Sequence, residues 1–279
     1  MVEEVKLIEY SCSSCNSKFC TSRNDITNCI FCDSTNLEKR EAPLSGNISV
    51  LPFKIDSFDV VKNYKKKTKF NPLVPFKFKK KIDNIKKIYL PVYVTDIINE
   101  GNISFYGVNN NDLKSKYEIV QNIKFNYDDV VLKASSKVDD VLFEEINDYT
   151  FSELLDVNNS NLDDSIYLVN DISFEDISNT TKSKISKTSI KKIKNNINHT
   201  KKKLKEDNTT ISFNNNRKLL VPIYLINIKY KDKDYSYIMN GQTGSSYINI
   251  PIGILETTIF SILLFGVVFL IGFLISYFL

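Results

Sequence analysis

Along the 279-residue chain, apolar positions come as short alternating runs, then as two longer runs that echo each other, and last as one unbroken block. The echo is Ile88-Tyr89-Leu90-Pro91-Val92-Tyr93-Val94 against Leu219-Leu220-Val221-Pro222-Ile223-Tyr224-Leu225. A turn and a second strand-like run follow each, so the pattern predicts two similar β-hairpins. The first turns at Asn99-Glu100-Gly101-Asn102 into Ile103–Gly107. The second passes through Lys231–Asp234 into Tyr235–Met239 and turns again at Asn240-Gly241-Gln242-Thr243-Gly244. A proline cannot donate a ladder hydrogen bond, so Pro91 and Pro222 point to edge or bulge positions in a twisted antiparallel sheet. Between the hairpins, Asp128 to Leu155 and Phe174 to Lys205 carry helix-like spacing. Ile190, Ile193 and Ile197 share one helical face with Ile185 near its edge, while Lys191, Lys192, Lys194 and Lys201 to Lys203 fall largely elsewhere. Such an amphipathic helix suits a solvated basic face over a sheet, a membrane surface or nucleic acid.

The unbroken block runs from Thr257 to Leu279 without a charge. As a helix its 23 residues span about 34 Å, which matches a hydrocarbon core of about 30 Å. Ser261, Gly266, Gly272 and Ser276 interrupt it only with small residues, which a lipid-embedded helix tolerates. The expectation is a tail-anchored, single-pass protein of the cell membrane whose body stays cytoplasmic and whose residues 257–279 contact the bilayer. The nearest preceding lysines, Lys231 and Lys233, lie about two dozen residues upstream, so flanking charge adds little about orientation.

Composition changes this picture only modestly. Lys and Arg total 37 against 33 acids, too small an excess to argue by itself for nucleic acid or acidic lipid. No signal-peptide core opens the chain, so the body is expected in a reducing compartment. All five cysteines fall between Cys12 and Cys32. Cys12-Ser-Ser-Cys15 and Cys29-Ile-Phe-Cys32 form two C-x2-C pairs at zinc-ribbon spacing, with Cys12, Cys15, Cys29 and Cys32 as the candidate ligands. Four protein thiolates complete a tetrahedron and leave no open position, so a structural Zn2+ is expected, with rubredoxin-like iron as the other metal that fits. Tyr10, Phe19 and Phe31 read as packing residues around the knuckles. Cys20 reads as a small buried thiol, a substitute ligand or a redox group.

Catalytic sets are scarce. His199, the one histidine, lies in a Lys/Asn-rich stretch without a local partner, and Asp139-Asp140 with Glu144-Glu145 read as a solvated helical face. The glycines of Asn240–Gly244 lack the spacing and the lysine of a phosphate loop. Ala42-Pro43-Leu44-Ser45-Gly46 looks like a linker. The fold class is therefore α+β: a zinc ribbon over residues 1–41, a β-rich domain with two similar hairpins and intervening helices over 42–250, and a transmembrane tail anchor over 251–279.

Several segments in order resemble a family of bacterial, mainly Gram-positive, membrane-anchored proteins with a TFIIB-type zinc ribbon. They are the two cysteine pairs, Leu51-Pro52-Phe53-Lys54-Ile55, Tyr89-Leu90-Pro91-Val92-Tyr93, Ser135–Asp140, and Met239–Gly244 before the apolar block. Family members often carry additional zinc knuckles, whereas this chain has room for one ribbon, and some are labelled as DNA-helicase or replication proteins. The resemblance implies an anchor or adaptor associated with membrane-stress scaffolds of the phage-shock or flotillin-like kind. The expected function is a non-enzymatic adaptor that recruits a protein partner to the cytoplasmic membrane face. The alternative is a membrane-tethered nucleic-acid binder using the ribbon with Lys65 to Lys67, Lys79 to Lys81 and Lys201 to Lys203.

Overall fold

In the structure, a computed structural model, residues 6–43, 49–69, 71–79, 82, 84–109, 112–156, 165–198 and 201–278 are described. His199, Lys80, Lys81 and Leu44 to Gly46 lie outside them. In chain order the elements begin with strands β1 (Lys6–Cys12), β2 (Lys18–Thr21), β3 (Leu37–Pro43) and β4 (Ser49–Val50), then helices α1 (Ser57–Lys69) and α2 (Phe76–Lys79). Strands β5 (Lys86–Asn109) and β6 (Asp112–Lys133), helix α3 (Asp140–Glu144), and strands β7 (Leu155–Asp156) and β8 (Ile166–Leu168) follow. The chain continues through α4 (Phe174–Asn196), β9 (Lys201–Tyr230), β10 (Lys233–Asn240), β11 (Ser246–Ile248) and α5 (Ile254–Phe278). The fold mixes helices and strands and is strand-rich.

Two compact units share the chain. The first gathers Met1–Tyr89, Val138–Leu168 and Val221–Leu279; the second gathers Leu90–Lys137 and Val169–Leu220. In the first unit β1 pairs antiparallel with both β2 and β3, and β2 continues onto β8, with Phe19 opposite Leu168. The start of β5 runs parallel to β8, Ile88 opposite Ile166. The end of β9 pairs with β10 through a two-residue turn at Lys231 and Asp232, whose φ values of 49° and 59° are those of a primed hairpin turn. This turn, and the next one after Asn240, fall where the pattern placed them.

The core of this unit follows from two periodicities. Along β9, Tyr224, Ile226 and Ile228 alternate onto one face, joined by Tyr237 and Met239 of β10. Against that face α1 turns Val60, Tyr64 and Thr68, each four residues apart, and α2 adds Phe78. The rings meet edge-on, Tyr64 with Tyr237 at 5.6 Å and Phe78 with Tyr235 at 5.3 Å between centroids. No residue of α5 is buried. Among the described residues it is the one helix long and apolar enough to cross a membrane.

In the second unit the structure corrects three expectations. Asn99–Asn102 is not a turn but lies inside β5, paired with Lys124, Ile123 and their neighbours on β6. Asp128–Lys133 is strand, because Val130, Val131 and Leu132 pair with Thr95, Val94 and Tyr93; the one helix between Asp128 and Leu155 is the five-residue α3, in the first unit. Lys201–Lys205 begins β9 instead of extending α4. The part of the helix prediction that stands is its centre. Ile190, Ile193 and Ile197 pack on Ile103, Phe105 and Ile123 of the sheet, leaving the lysines of α4 outward. Pro91 is not at a sheet edge either; it stands where β5 changes partner, between the β8 register ending at Tyr89 and the β6 register starting at Val92.

Candidate metal centre

Two short loops, built alike, present the four predicted cysteines. In the first, the Cys12 N–H donates to the Ser17 carbonyl at 2.9 Å; in the second, the Cys29 N–H donates to the Ser34 carbonyl at 2.8 Å. Each loop closes through a residue with positive φ just after its second cysteine, Asn16 at 54° and Asp33 at 62°. Asn and Asp tolerate that left-handed conformation better than other non-glycine residues, so Cys15-Asn16-Ser17 and Cys32-Asp33-Ser34 are one local solution used twice. The loops are tied to each other, with the Ser14 and Ser34 hydroxyls 2.8 Å apart and the Ser13 N–H donating to Asn36 O at 3.1 Å.

This arrangement brings Cys12, Cys15, Cys29 and Cys32 together, their Sγ atoms all within 4.8 Å of one another. Across the loops Cys12 and Cys32 are 3.7 Å apart and Cys15 and Cys29 3.6 Å. A tetrahedron with metal–sulfur bonds of about 2.3 Å has edges of about 3.8 Å, whereas a disulfide needs about 2.05 Å. The four thiols thus fit one metal ion, compatible with zinc. Cys20 is not among them: it faces Glu9 and Tyr167 across β2, and burial, then the Glu9 charge, push its thiol up to about 11.

The thiols divide electrostatically. For Cys15, burial opposes ionisation, but its hydrogen bonding with the Ser17 side chain, 3.0 Å away, with Cys32, with the Ser17 backbone and with Cys29 outweighs it and brings the thiol to about 6. Cys12 is also lowered; burial resists there too, against backbone N–H groups of Cys15 and Ser14. Burial instead lifts Cys29 to about 12. Cys32 is raised: a Ser34 backbone hydrogen bond favours its thiolate, but burial and the neighbouring Cys15 and Cys12 prevail.

Beneath the loops Tyr10 and Phe19 are fully buried and stacked at 5.3 Å, with Phe31 edge-on to Phe19 at 6.5 Å. Sequence reasoning missed Lys86. From the start of β5 its ammonium donates to the Ile30 carbonyl inside the second cysteine loop. Burial lowers its pKa, while the charges of Cys29 and Asp33 hold it up. Four thiolates on a divalent ion leave a net charge of −2, so a half-buried ammonium beside them is electrostatically apt. Fifty-odd residues separate it from the cysteines, and no local pattern marks it.

Of the acidic pairs, Asp140, Glu144 and Glu145 are exposed while Asp139 takes a structural role. Asp139 caps α3, accepting from the Val141 and Leu142 N–H groups at 2.9 and 3.2 Å. The Asn240–Gly244 turn is likewise committed to holding chain together. The buried Asn240 amide donates to Ile146 O and Asp148 Oδ1 at 2.9 and 3.0 Å and accepts from the Gln242 and Thr243 N–H groups. Gln242 brackets Thr150 in both directions, accepting from its N–H and donating to its carbonyl. Gly241 is required because a Cβ there would come within 2.6 Å of the Phe53 ring. No protein-family model, curated protein or solved structure matches the chain.

Proposed function

We propose that this protein is a membrane-anchored zinc-ribbon adaptor, belonging with the TFIIB-type ribbon proteins it resembles, that recruits a protein partner to the cytoplasmic face of a cell membrane. The observation that carries the reading is the placement of the four-thiol centre and the apolar helix α5 in one compact unit. Zinc held by four thiolates has no open position for substrate or water, so its work is to order β1 to β3 into a presentable surface. The polar groups around Asn240 are spent on one another, which supports a binding role over a catalytic one. Phage-shock or flotillin-like scaffolds are the partner class the resemblance suggests.

A nucleic-acid reading draws on a separate observation, the groove lined by Lys194, Asn195, Lys201 and Lys202 in the second unit. Crosslinking in intact membranes, followed by pull-down with and without nuclease, separates the two. The adaptor reading expects a nuclease-resistant protein partner that disappears with the Cys15→Ser variant. Partners that all vanish with nuclease and persist in that variant would replace it with the tethered nucleic-acid binder.

A further inference from the structure

The entry into α5 is held against the loop that joins α1 to α2, remote from it in sequence. Gly253 is buried and donates its N–H to the Leu73 carbonyl at 2.9 Å, and a Cβ on it would come within 3.0 Å of Pro75. Helix α5 begins one residue later, and its one charge is Glu256 in the first turn. From Gly253 to Thr257, where the uncharged stretch begins, is about 6 Å of helix rise. Each polar layer flanking the hydrocarbon core is about 5–8 Å thick. With α5 across a bilayer, Leu73 to Phe76 therefore sit at headgroup depth.

The surface presented around that point is aromatic and strongly basic. Because α1 buries Val60, Tyr64 and Thr68, helical geometry turns Phe58, Lys62, Lys65, Lys66 and Lys69 together onto the opposite face. Phe58 is 75% exposed, Phe76 at the start of α2 is 65% exposed, and Ile252 is 70% exposed. Between Ser57 and Lys79 there are seven lysines and one acid, Asp59. Large apolar rings among lysines are costly to leave in water, and they suit the boundary between headgroups and acyl chains. Anionic headgroups offer cover for the exposed rings and countercharge for the outward ammonium groups.

We propose that α1 and α2 form an anionic-lipid-binding face, lying on the leaflet that α5 enters, with Phe58 and Phe76 in the headgroup layer and the outward lysines against lipid phosphates. The proposal rests on the membrane-anchor reading of α5. It also provides, through folding, the positive charge at the membrane entry that the sequence flanking α5 lacks.

The test is amide hydrogen exchange on the full chain in lipid nanodiscs, of phosphatidylcholine alone or doped with phosphatidylglycerol. Exchange across Asn71–Lys79 is expected to slow about tenfold in the anionic discs, and the difference to shrink when salt is raised to about 0.5 M. Replacing the exposed Lys65, Lys66 and Lys77 by Gln should abolish the difference, each lysine carrying about fivefold of surface affinity and the three about a hundredfold. Equal exchange in both discs with α5 still protected would overturn the lipid face and leave the anchor standing. Unprotected α5 amides would overturn both. Protection of Asn71–Lys79 by an oligonucleotide in zwitterionic discs, with none from anionic lipid, would overturn the proposal and assign the face to nucleic acid.

Discussion

Stripping the metal from the four-thiol centre should unfold β1 to β3 while the rest of the first unit persists. The large side chains fully or nearly buried in this region are Leu7, Tyr10 and Phe19, together contributing at most about 5–9 kcal/mol of hydrophobic stabilisation. A structural zinc bound by four such ligands contributes about 10–16 kcal/mol, comparable to the whole stability of a domain. A metal so held would be the largest single term ordering the loops, ahead of the Ser14–Ser34 and Ser13–Asn36 hydrogen bonds between them. By contrast, the cluster of Val60, Tyr64, Phe78, Tyr224 and Tyr237 contains no residue from Lys6 to Pro43. β8 loses its β2 neighbour but keeps its parallel pairing with β5. Hydrogen exchange on the full chain in nanodiscs, before and after chelation with metal loss verified by elemental analysis, reads this directly. Protection should vanish from β1, β2 and β3 and remain on β9 and β10. Unchanged protection of β1 to β3 in verified metal-free protein would refute the assignment of these cysteines to a stabilising metal.

Metal affinity should rise steeply with pH, because Cys29, at about 12, and Cys32, raised above its ordinary value, both carry protons at pH 7 that binding must displace, whereas Cys15 at about 6 does not. At least two released protons give at least about a hundredfold tighter binding per pH unit between pH 7 and 8 in a chelator competition, and a slope below tenfold would contradict the raised Cys29 and Cys32 thiols. Lys86→Met should weaken zinc binding about tenfold by removing the ammonium at Ile30, with unchanged affinity marking the lysine as merely structural. Asn240→Ala deletes four hydrogen bonds at a fully buried position and strands the Gln242 and Thr243 N–H groups, which should cost about 3–4 kcal/mol. In a thermal melt this is a fall of about 10 °C, and a shift under about 2 °C would mean water replaces the amide.

What was legible in the sequence was what is decided locally. Four cysteines in two C-x2-C pairs announce their geometry because ligand type and spacing are the constraint, and the apolar block announces α5 because no polar face remains. The turn at Lys231-Asp232 is local as well. Asn99-Glu100-Gly101-Asn102 uses turn-forming residues for another purpose. Gly101, at φ 136°, is there because a Cβ would strike Asn208 O at 2.4 Å, a close approach of β9 that lies a hundred residues away. Asn99 is fully buried to bond Ser189 of α4 at 2.8 Å. Thr95 reaches Asn214 while Gly101 meets Asn208, so β5 and β9 run antiparallel through this contact. Lys201–Thr210 misleads for a different reason: lysine is compatible with helix and strand alike, and the alternation that marks β9 there is carried by weak signals, the half-buried Asp207 and Thr209 leading to Ile211.

The division into two units separates the ribbon adaptor from a nucleic-acid binder built on the groove of α4 and β9, though not from one that uses the ribbon itself. The metal centre, α1, α2 and α5 belong to the first unit, and the lysines of α4 and the start of β9 belong to the second. An adaptor that presents its ribbon must fail when Cys15 or Cys29 is changed and must tolerate Lys191→Gln with Lys194→Gln, since those side chains lie outward on a helix whose isoleucine face carries its packing. A nucleic-acid binder built on the groove between Lys194 and Lys202 must show the reverse sensitivity, with a salt dependence that falls as each phosphate-contacting lysine is removed. The distinction holds because the two sets of side chains draw on different cores. Val60, Tyr64 and Tyr237 support one, and Ile103, Phe105 and Ile123 support the other. Damage to either surface can therefore be made without melting the scaffold beneath its rival.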